Sequence, residues 1–277
     1  MSVFSASDAA LEGVGVLRRH WRVAVGWGVF NLLALVAVVV VTVVVGVGID
    51  LAAAGDGTSK AATAIGAIAG GLATGLLETM LIVGLYRLML HPEAPGFLHL
   101  RLGRDEARLF VIVLIMLAAV VVFAIPAVAI GMALHAVVGG GQIIVGLVSL
   151  GVGGWLALRF GLTAPISFAE GRIDFMSSWR LTKGRGAALF GMWFLNFILV
   201  LIIWLALWLF LFVLSGVLTG FHGFGAAEGD EALLSHPGRY LLEAVVPILL
   251  MPAFIVLSQA PWVAAYRDLA RGEAAKA

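Results

Sequence analysis

Two ionisable side chains lie deep within apolar stretches of the chain and are the first candidates for chemistry. Glu78 precedes Arg87 by nine residues, and Arg159 precedes Glu170 by eleven. A charge in hydrocarbon is costly unless it is paired, so such residues are functional candidates by default. We expect Glu78 and Arg159 to form a structural ion pair that neutralises both. The alternative is that Glu78 serves as a proton or cation site.

Three neutral polar residues occupy similar positions. Asn31 and Asn196 are the only asparagines in the chain, and Gln259 follows Ser258 in a proline-rich segment. Amide side chains in a membrane form hydrogen bonds between helices that contribute roughly 0.6 to 2 kcal/mol each. We therefore predict interhelical hydrogen bonds at both asparagines.

Patterns typical of catalysis or of metal binding are missing from the sequence. There is no cysteine, and we find no His-Glu-x-x-His zinc site, phosphate-binding glycine loop or Gly-x-Ser-x-Gly elbow. One loop combines acidic and histidine residues, but their spacing matches no metal site, and a solvated loop is the simpler interpretation; these residues are His222, Glu228, Asp230, Glu231 and His236. We expect no catalytic residue, metal or cofactor.

The elements that must position these residues are membrane-spanning helices. Hydrophobic residues make up 62% of the 277 residues and charged residues only 12%, whereas soluble domains are about half apolar and a quarter charged. A spanning helix needs roughly 20 apolar residues. Six segments qualify, at about 23–47, 61–90, 109–138, 143–168, 187–218 and 241–266. The sequence predicts one all-α integral membrane domain over 1–277, a bundle of six transmembrane helices.

The distribution of basic residues predicts the orientation. With the N-terminus inside, 15 of the 17 basic residues flank the inner ends of the segments, and only Lys60 and Arg239 lie outside. Positive charge resists translocation, so both termini are expected in the cytoplasm. The net charge of +1 gives no reason to expect a nucleic-acid partner. Residues 1–22 are expected to form an interfacial helix, since Leu11, Val14 and Leu17 precede a basic cluster. The candidates for contact with lipid headgroups are Arg18, Arg19, Arg22, Arg101, Arg104, Arg180, Lys183 and Arg185.

Small residues recur every four positions in the second and fourth segments. Such rows allow helix backbones to approach closely within a bilayer, so we expect these two segments at the centre of the bundle, in contact. An overall richness in glycine, 35 residues, is the alternative explanation. The glycines expected at helix contacts are Gly66, Gly70, Gly71, Gly75, Gly153 and Gly161.

The fifth and sixth segments differ from these. The fifth carries Trp204 and Trp208 among large aliphatic residues, which is typical of a helix facing lipid or a second copy of the chain. The sixth contains Pro247, Pro252 and Pro261, and a proline removes a backbone hydrogen bond. A helix broken there could line a substrate path, as in many transporters; simple kinking is the alternative.

The stretch from Leu158 to Phe190 resembles the membrane domains associated with glycerophosphoryl diester phosphodiesterases and their stand-alone bacterial relatives. The resemblance implies a multi-helix membrane module of the bacterial inner membrane, in which hydrolysis belongs to a separate soluble barrel. Six spans in 277 residues leave no room for that barrel, so phosphodiesterase activity is not carried over. The matching residues are Arg159, Pro165, Glu170, Gly171, Ser178, Trp179, Arg180, Leu181, Thr182 and Gly184.

Together these features predict a non-enzymatic inner-membrane module that organises lipid or a partner protein through a basic cytoplasmic face. Its expected partners are membrane lipids, with a homo-oligomer or an unidentified membrane protein as further possibilities. The alternative is a transporter of a small solute or lipid that uses a broken sixth helix together with Glu78 and Arg159.

Overall fold

A computed structural model describes residues 5–52, 60–93, 97–219 and 237–274. In this part of the chain every regular element is helical, as predicted. A single-turn 3-10 helix at Phe97–His99 precedes the fourth α-helix. The α-helices are α1 (Ala6–Arg19), α2 (Trp21–Ala52), α3 (Lys60–Leu90), α4 (Arg104–Val138), α5 (Gly141–Phe160), α6 (Thr163–Glu170), α7 (Phe175–Thr182), α8 (Gly186–Thr219) and α9 (Pro237–Ala274).

Six helical segments are long and apolar enough to cross a membrane, in agreement with the predicted number. Five of them are the single helices α2, α3, α4, α8 and α9. The fourth segment is Gly141–Glu170, in which α5 ends at Phe160 and α6 begins at Thr163. Pro165 lies in the first turn of α6, where its missing N–H has no intrahelical partner to lose. The predicted span at about 143–168 is therefore present, and it consists of two helices.

The described residues form two compact units. The first contains residues 5–10, 83–193 and 260–274, and it has an apolar core. Trp262 packs its ring directly over Gly161, where a side chain would collide with it. The buried core residues come from α1, α8, α9 and the α5–α6 region, and they are Ala9, Ala10, Leu162, Ile166, Leu189, Met192, Ala264, Ala265 and Leu269.

The second unit contains residues 11–82 and 194–259, and its helices meet at small residues. Gly28 of α2 lies against the carbonyl oxygen of Leu249, and Gly13 of α1 lies against the backbone of Leu257. A Cβ built at Gly70 of α3 would lie 3.3 Å from the hydroxyl oxygen of Thr42. Small residues therefore allow close approach of the helices at these three points of the unit.

The sixth span is continuous, because α9 runs from Pro237 to Ala274 through Pro247, Pro252 and Pro261. The predicted alternative of a broken helix is therefore wrong. Pro252 has no N–H to donate to the carbonyl of Ile248, four residues earlier. Asn31 of α2 donates to that carbonyl through its Nδ2 at 2.8 Å, and its side chain is buried. An amide on one helix thus replaces the hydrogen bond that a proline removes from another.

This arrangement predicts a non-additive pair of substitutions. Asn31→Leu should lower the free energy of unfolding by about 0.6 to 2 kcal/mol, because it leaves the Ile248 carbonyl without a donor. In a Pro252→Ala background the same change should cost much less, because an alanine at that position supplies a backbone N–H. The measurement is a double-mutant cycle on SDS-induced unfolding in mixed micelles.

Asn196→Leu is the matched control for this cycle. The buried Oδ1 of Asn196 accepts no hydrogen bond from the residues that the structure describes, so its replacement should be neutral or stabilising. An equal cost of Asn31→Leu with and without the Pro252→Ala substitution would contradict the interpretation.

Candidate functional site

The candidate site lies in the first unit, where the ends of several helices meet a cluster of charged side chains. Arg159, near the end of α5, lies between two tryptophans. Its guanidinium carbon is 5.6 Å from the ring centroid of Trp155 on the same helix and 5.2 Å from that of Trp179 on α7. A cation over an aromatic face gains from about 0.5 kcal/mol when exposed to about 2 kcal/mol when desolvated. The two rings therefore hold this charge in place without neutralising it.

The backbone of Arg159 is held by the same short helix. Its carbonyl oxygen accepts hydrogen bonds from the hydroxyl groups of Ser178, at 2.8 Å, and Thr182, at 3.4 Å. Carbonyls in the last turn of a helix have no intrahelical donor, so α7 supplies donors to the end of α5. This explains why residues of the predicted motif around Ser178, Trp179 and Thr182 lie together: they all contact Arg159.

Asp174 begins α7 and fixes its start. Its two carboxylate oxygens each accept a hydrogen bond of 2.8 Å from Ser177, one from the amide and one from the hydroxyl. These bonds hold the pKa of Asp174 below its usual value, so the cap is present at neutral pH and weakens only as the pH falls toward that lowered pKa. Arg172 also pairs with Asp174, at 3.0 Å, and with Glu170.

A buried ion pair lies at the other side of this cluster. Arg87, in the last turn of α3, contacts Glu106 in the first turn of α4, and the two residues are only 3% and 0% exposed. Arg87 also lies 3.6 Å from Asp105, and it donates to the carbonyl oxygen of His99 at 3.1 Å. Leu98 and His99 have positive φ values of 54° and 60°, a conformation that costs non-glycine residues about 1 to 2 kcal/mol each. The hydrogen bond from Arg87 helps to offset that strain.

The two parts of the cluster are continuous. Arg108 of α4 bonds Asp105 at 3.2 Å and donates to the carbonyl of Ser167, in the last turn of α6, at 3.4 Å. The Ser167 hydroxyl accepts from the amide of Asp174 at 3.2 Å. A chain of contacts therefore runs from α3 to α7. We call this set of residues the polar network: Arg87, His99, Asp105, Glu106, Arg108, Ser167, Glu170, Arg172, Asp174 and Ser177.

Sequence reasoning missed the buried pair at the centre of this network. Arg87 was interpreted only as an orientation signal, and Glu106 was not considered. A usable signal exists, since Glu106, Leu109 and Ile112 repeat at intervals of three and all are buried. A carboxylate on the apolar face of a helix must find a cation, and Arg87 ends the preceding helix.

The predicted headgroup contacts fall into two groups. Some of these basic residues have partners: Arg19 pairs with Glu12 at 2.9 Å, Arg101 lies 4.0 Å from Asp105, and Arg180 donates to the hydroxyl of Ser177. The others form no ion pair with the residues that the structure describes, and they are Arg18, Arg22, Arg104, Lys183 and Arg185. Within this second group, Arg18, Arg22, Arg104 and Lys183 are exposed.

The intramembrane candidates are not gathered into one site. Glu78 is half-buried on α3 in the second unit, where it has no ion-pair partner among the described residues, whereas Arg159 belongs to the first unit. Neither side chain forms an ion pair with a described residue, so the expected structural pair is not formed in this part of the chain. Asn31 makes the predicted interhelical hydrogen bond, whereas Asn196 forms none with the residues that the structure describes. Gln259 is half-buried on α9.

The predicted packing glycines have different surroundings. Gly66 and Gly70 lie against Thr42 of α2, which belongs to the first span. Gly75 accepts a hydrogen bond from Thr79 of its own helix, and Gly161 contacts Trp262 of α9. A Cβ built at Gly71 or Gly153 would meet nothing within 4 Å in the described structure. Contact between the second and fourth segments thus stays a prediction, and the fourth has no buried residue in its most apolar window.

No group of three or more potential metal-binding side chains occurs among the described residues. The loop with His222 and His236 lies outside them. Searches of known protein families, of curated proteins and of solved structures find no match to this chain. The resemblance to phosphodiesterase-associated membrane domains therefore stays a prediction.

The buried pair predicts a large asymmetry between single and double substitutions. Glu106→Gln should lower the free energy of unfolding by about 3 kcal/mol, the lower end of the range for breaking a buried pair, because the buried Arg87 keeps only the more distant carboxylate of Asp105, at 3.6 Å. The double variant Arg87→Met with Glu106→Leu should recover most of that loss, since apolar residues of similar volume need no partner. Unfolding by SDS, followed through the fluorescence of the tryptophans, measures both.

Glu93→Gln is the control for this experiment, because Glu93 is exposed and, among the described residues, pairs only with His91, at 3.8 Å. Its cost should stay below about 0.5 kcal/mol. A Glu106→Gln variant as stable as this control would show that the pair is not structural.

Proposed function

We propose that this chain is a non-catalytic multi-pass module of the bacterial inner membrane that gathers anionic lipids at a basic cytoplasmic face. The observation that carries the proposal is how the charges are distributed between internal and exposed positions. Asp105 and Glu106 lie beside Arg87, and Glu170 and Asp174 lie beside Arg172. These acidic residues are used within the polar network, so they do not balance the exposed cations.

The cations left over are suited to lipid headgroups. In the first unit Arg104 and Lys183 are exposed without an ion pair in the described residues, and in the second unit so are Arg18 and Arg22. Each basic residue near an anionic membrane surface contributes about 1 kcal/mol, and the effect falls off within a Debye length of roughly 8 to 10 Å. Exposed Leu11 and Val14 on α1 are consistent with a helix lying in the interface, as an amphipathic segment with basic ends would.

A partner protein remains part of this proposal. Trp204 and Trp208 of α8 are 51% and 54% exposed, and such large side chains fit lipid or a second copy of the chain. The transporter alternative depended in part on a broken sixth helix, and α9 is continuous. The half-buried Glu78 is the feature that still favours it.

The orientation is testable by single-cysteine labelling, since the chain has no cysteine of its own. In spheroplasts, a membrane-impermeant maleimide should label Ser59→Cys directly, because positions outside the inner basic clusters face the periplasm. Ser7→Cys should become labelled only after lysis. Labelling of Ser7→Cys in intact spheroplasts would contradict the proposed cytoplasmic N-terminus.

Lipid selectivity tests the function itself. A variant with Arg18, Arg22, Arg104 and Lys183 all changed to Gln should lose about fivefold or more of its preference for phosphatidylglycerol over phosphatidylcholine, because a lipid beside one lost cation loses about 1 kcal/mol. Electron paramagnetic resonance of spin-labelled lipids measures this preference in reconstituted protein. Raising the salt concentration should reduce the preference of the unchanged chain.

The matched control replaces Lys60 and Arg239, the two basic residues expected on the opposite side, with Gln. Its selectivity for lipid probes in the inner leaflet should be unchanged. If the fourfold variant retains full selectivity, the basic face does not gather anionic lipid and the proposal fails.

A further inference from the structure

A large apolar groove in the first unit lies between α4 and α5. Its volume is about 1000 Å³, at the upper end of the range of roughly 300 to 1000 Å³ that is typical of small-molecule sites. Only Gln142 and Ser149 place polar side chains among its lining residues, and Phe160 and Phe175 lie at one end. Exposing this apolar surface to water would be unfavourable, but in a bilayer the groove can hold the acyl chains of lipids.

The groove exists because the two helices touch near their connection and have small residues farther along. Gly141 packs against Leu134, and Gly131 lies beside Val145. Beyond these contacts, a Cβ built at Gly146 or at Gly153 would meet nothing within 4 Å. Ser149, Gly153 and Ala157 line the groove, so a row of residues that sequence pattern assigned to helix packing instead leaves open space.

A cation lies just beyond the end of the groove that Phe160 and Phe175 form. The rings of these two residues are 6.1 Å apart, and Phe160 is 5.7 Å from Trp179. The guanidinium of Arg159 lies over the ring of Trp179. Its buried Nη1 has no hydrogen-bond partner in the described structure. The groove therefore offers a long apolar wall, and the guanidinium of Arg159 lies next to Trp179, beyond the Phe160 end, without an ion pair in the described structure. An apolar wall with a cation near one end complements an amphiphile with an anionic head.

The length of the groove suits a lipid chain. From Gln142 to Phe160 the groove follows about 27 Å of α5, at 1.5 Å for each residue. The part from Ser149 to Phe160 is about 16 Å long, close to half of the roughly 30 Å hydrocarbon core.

We infer that the groove between α4 and α5 binds one acyl chain of an anionic phospholipid, with the headgroup phosphate beside Arg159. The inference rests on the proposed function and names a site for it within the membrane. Phosphatidylglycerol supplies a negative charge beside Arg159, and the small residues of α5 leave room for the acyl chain. Arg159 is the residue that sets specificity, because phosphatidylcholine offers the same chain with no net charge.

Photo-crosslinking tests the inference in the full chain reconstituted in nanodiscs. The probes are phosphatidylglycerol and phosphatidylcholine with the same diazirine-bearing acyl chain, and mass spectrometry locates the labelled residues. In the unchanged chain, phosphatidylglycerol should label groove residues such as Met116, Ala119 and Leu156 about fivefold more than phosphatidylcholine does. Equal labelling by the two probes would overturn the role of Arg159.

Adjacent glycines give a matched pair of variants. Gly153→Leu places a side chain in the open groove and should abolish its labelling, whereas Gly154→Leu, at an equally open position outside the groove, should leave labelling intact. Arg159→Gln should make the two probes equal, and Arg159→Lys should restore a preference. Circular-dichroism melting checks that each variant folds, and Arg159→Lys keeps the test valid if Arg159→Gln does not fold.

The remaining outcomes separate this inference from the proposed function. Equal groove labelling in the Gly153→Leu and Gly154→Leu variants, or crosslinks that join α4 and α5 of two copies, would overturn the acyl-chain site. If the groove is not labelled but the Arg18, Arg22, Arg104 and Lys183 variant still loses its lipid selectivity, only the site is wrong. If that selectivity is absent from the unchanged chain, the proposed function fails as well.

Discussion

Hydrocarbon contains no water to accept or donate hydrogen bonds, so every backbone carbonyl that a helix leaves free must find a donor within the protein. Many of the polar side chains that contact other helices in this chain meet that requirement. Asn31 donates to Ile248, whose carbonyl Pro252 leaves free, and Ser178 donates to Arg159 at the end of α5. Arg108 donates to Ser167 at the end of α6. Polar side chains therefore lie where a proline or a helix end leaves a backbone carbonyl without a donor.

The same requirement governs the charges. Asp105 and Glu106 lie close to the buried Arg87, and Asp174 combines a helix cap with an ion pair to Arg172. A buried charge pair contributes little net stability, but losing one partner is costly. Acidic residues committed in this way cannot neutralise exposed cations such as Arg104 and Lys183. A basic surface thus follows from how the interior is stabilised, and it is the basis of the lipid-gathering role that we propose.

Small residues serve two different purposes in this protein. Where a second helix approaches, as at Gly66 and Gly70 beside Thr42, they permit close packing. Where none approaches, as at Gly153, they leave a groove. Spacing along the chain is the same in both cases. What differs is whether a neighbouring helix comes near that face, and spacing alone contains no information about that.

The sequence by itself determined the all-helical character and the six apolar segments, because hydropathy over about 20 residues is a local property that no distant contact changes. It also predicted an interhelical hydrogen bond at Asn31, since an amide in hydrocarbon must find a partner. Only the tertiary structure decided which partner each polar group takes. Asn31 meets a carbonyl 217 residues away, and Arg108 meets one 59 residues away. The pair Arg87 and Glu106, the division of the fourth segment and the groove beside Gly153 likewise depend on how separate helices pack, which is a property of distances in space and not of spacing along the chain.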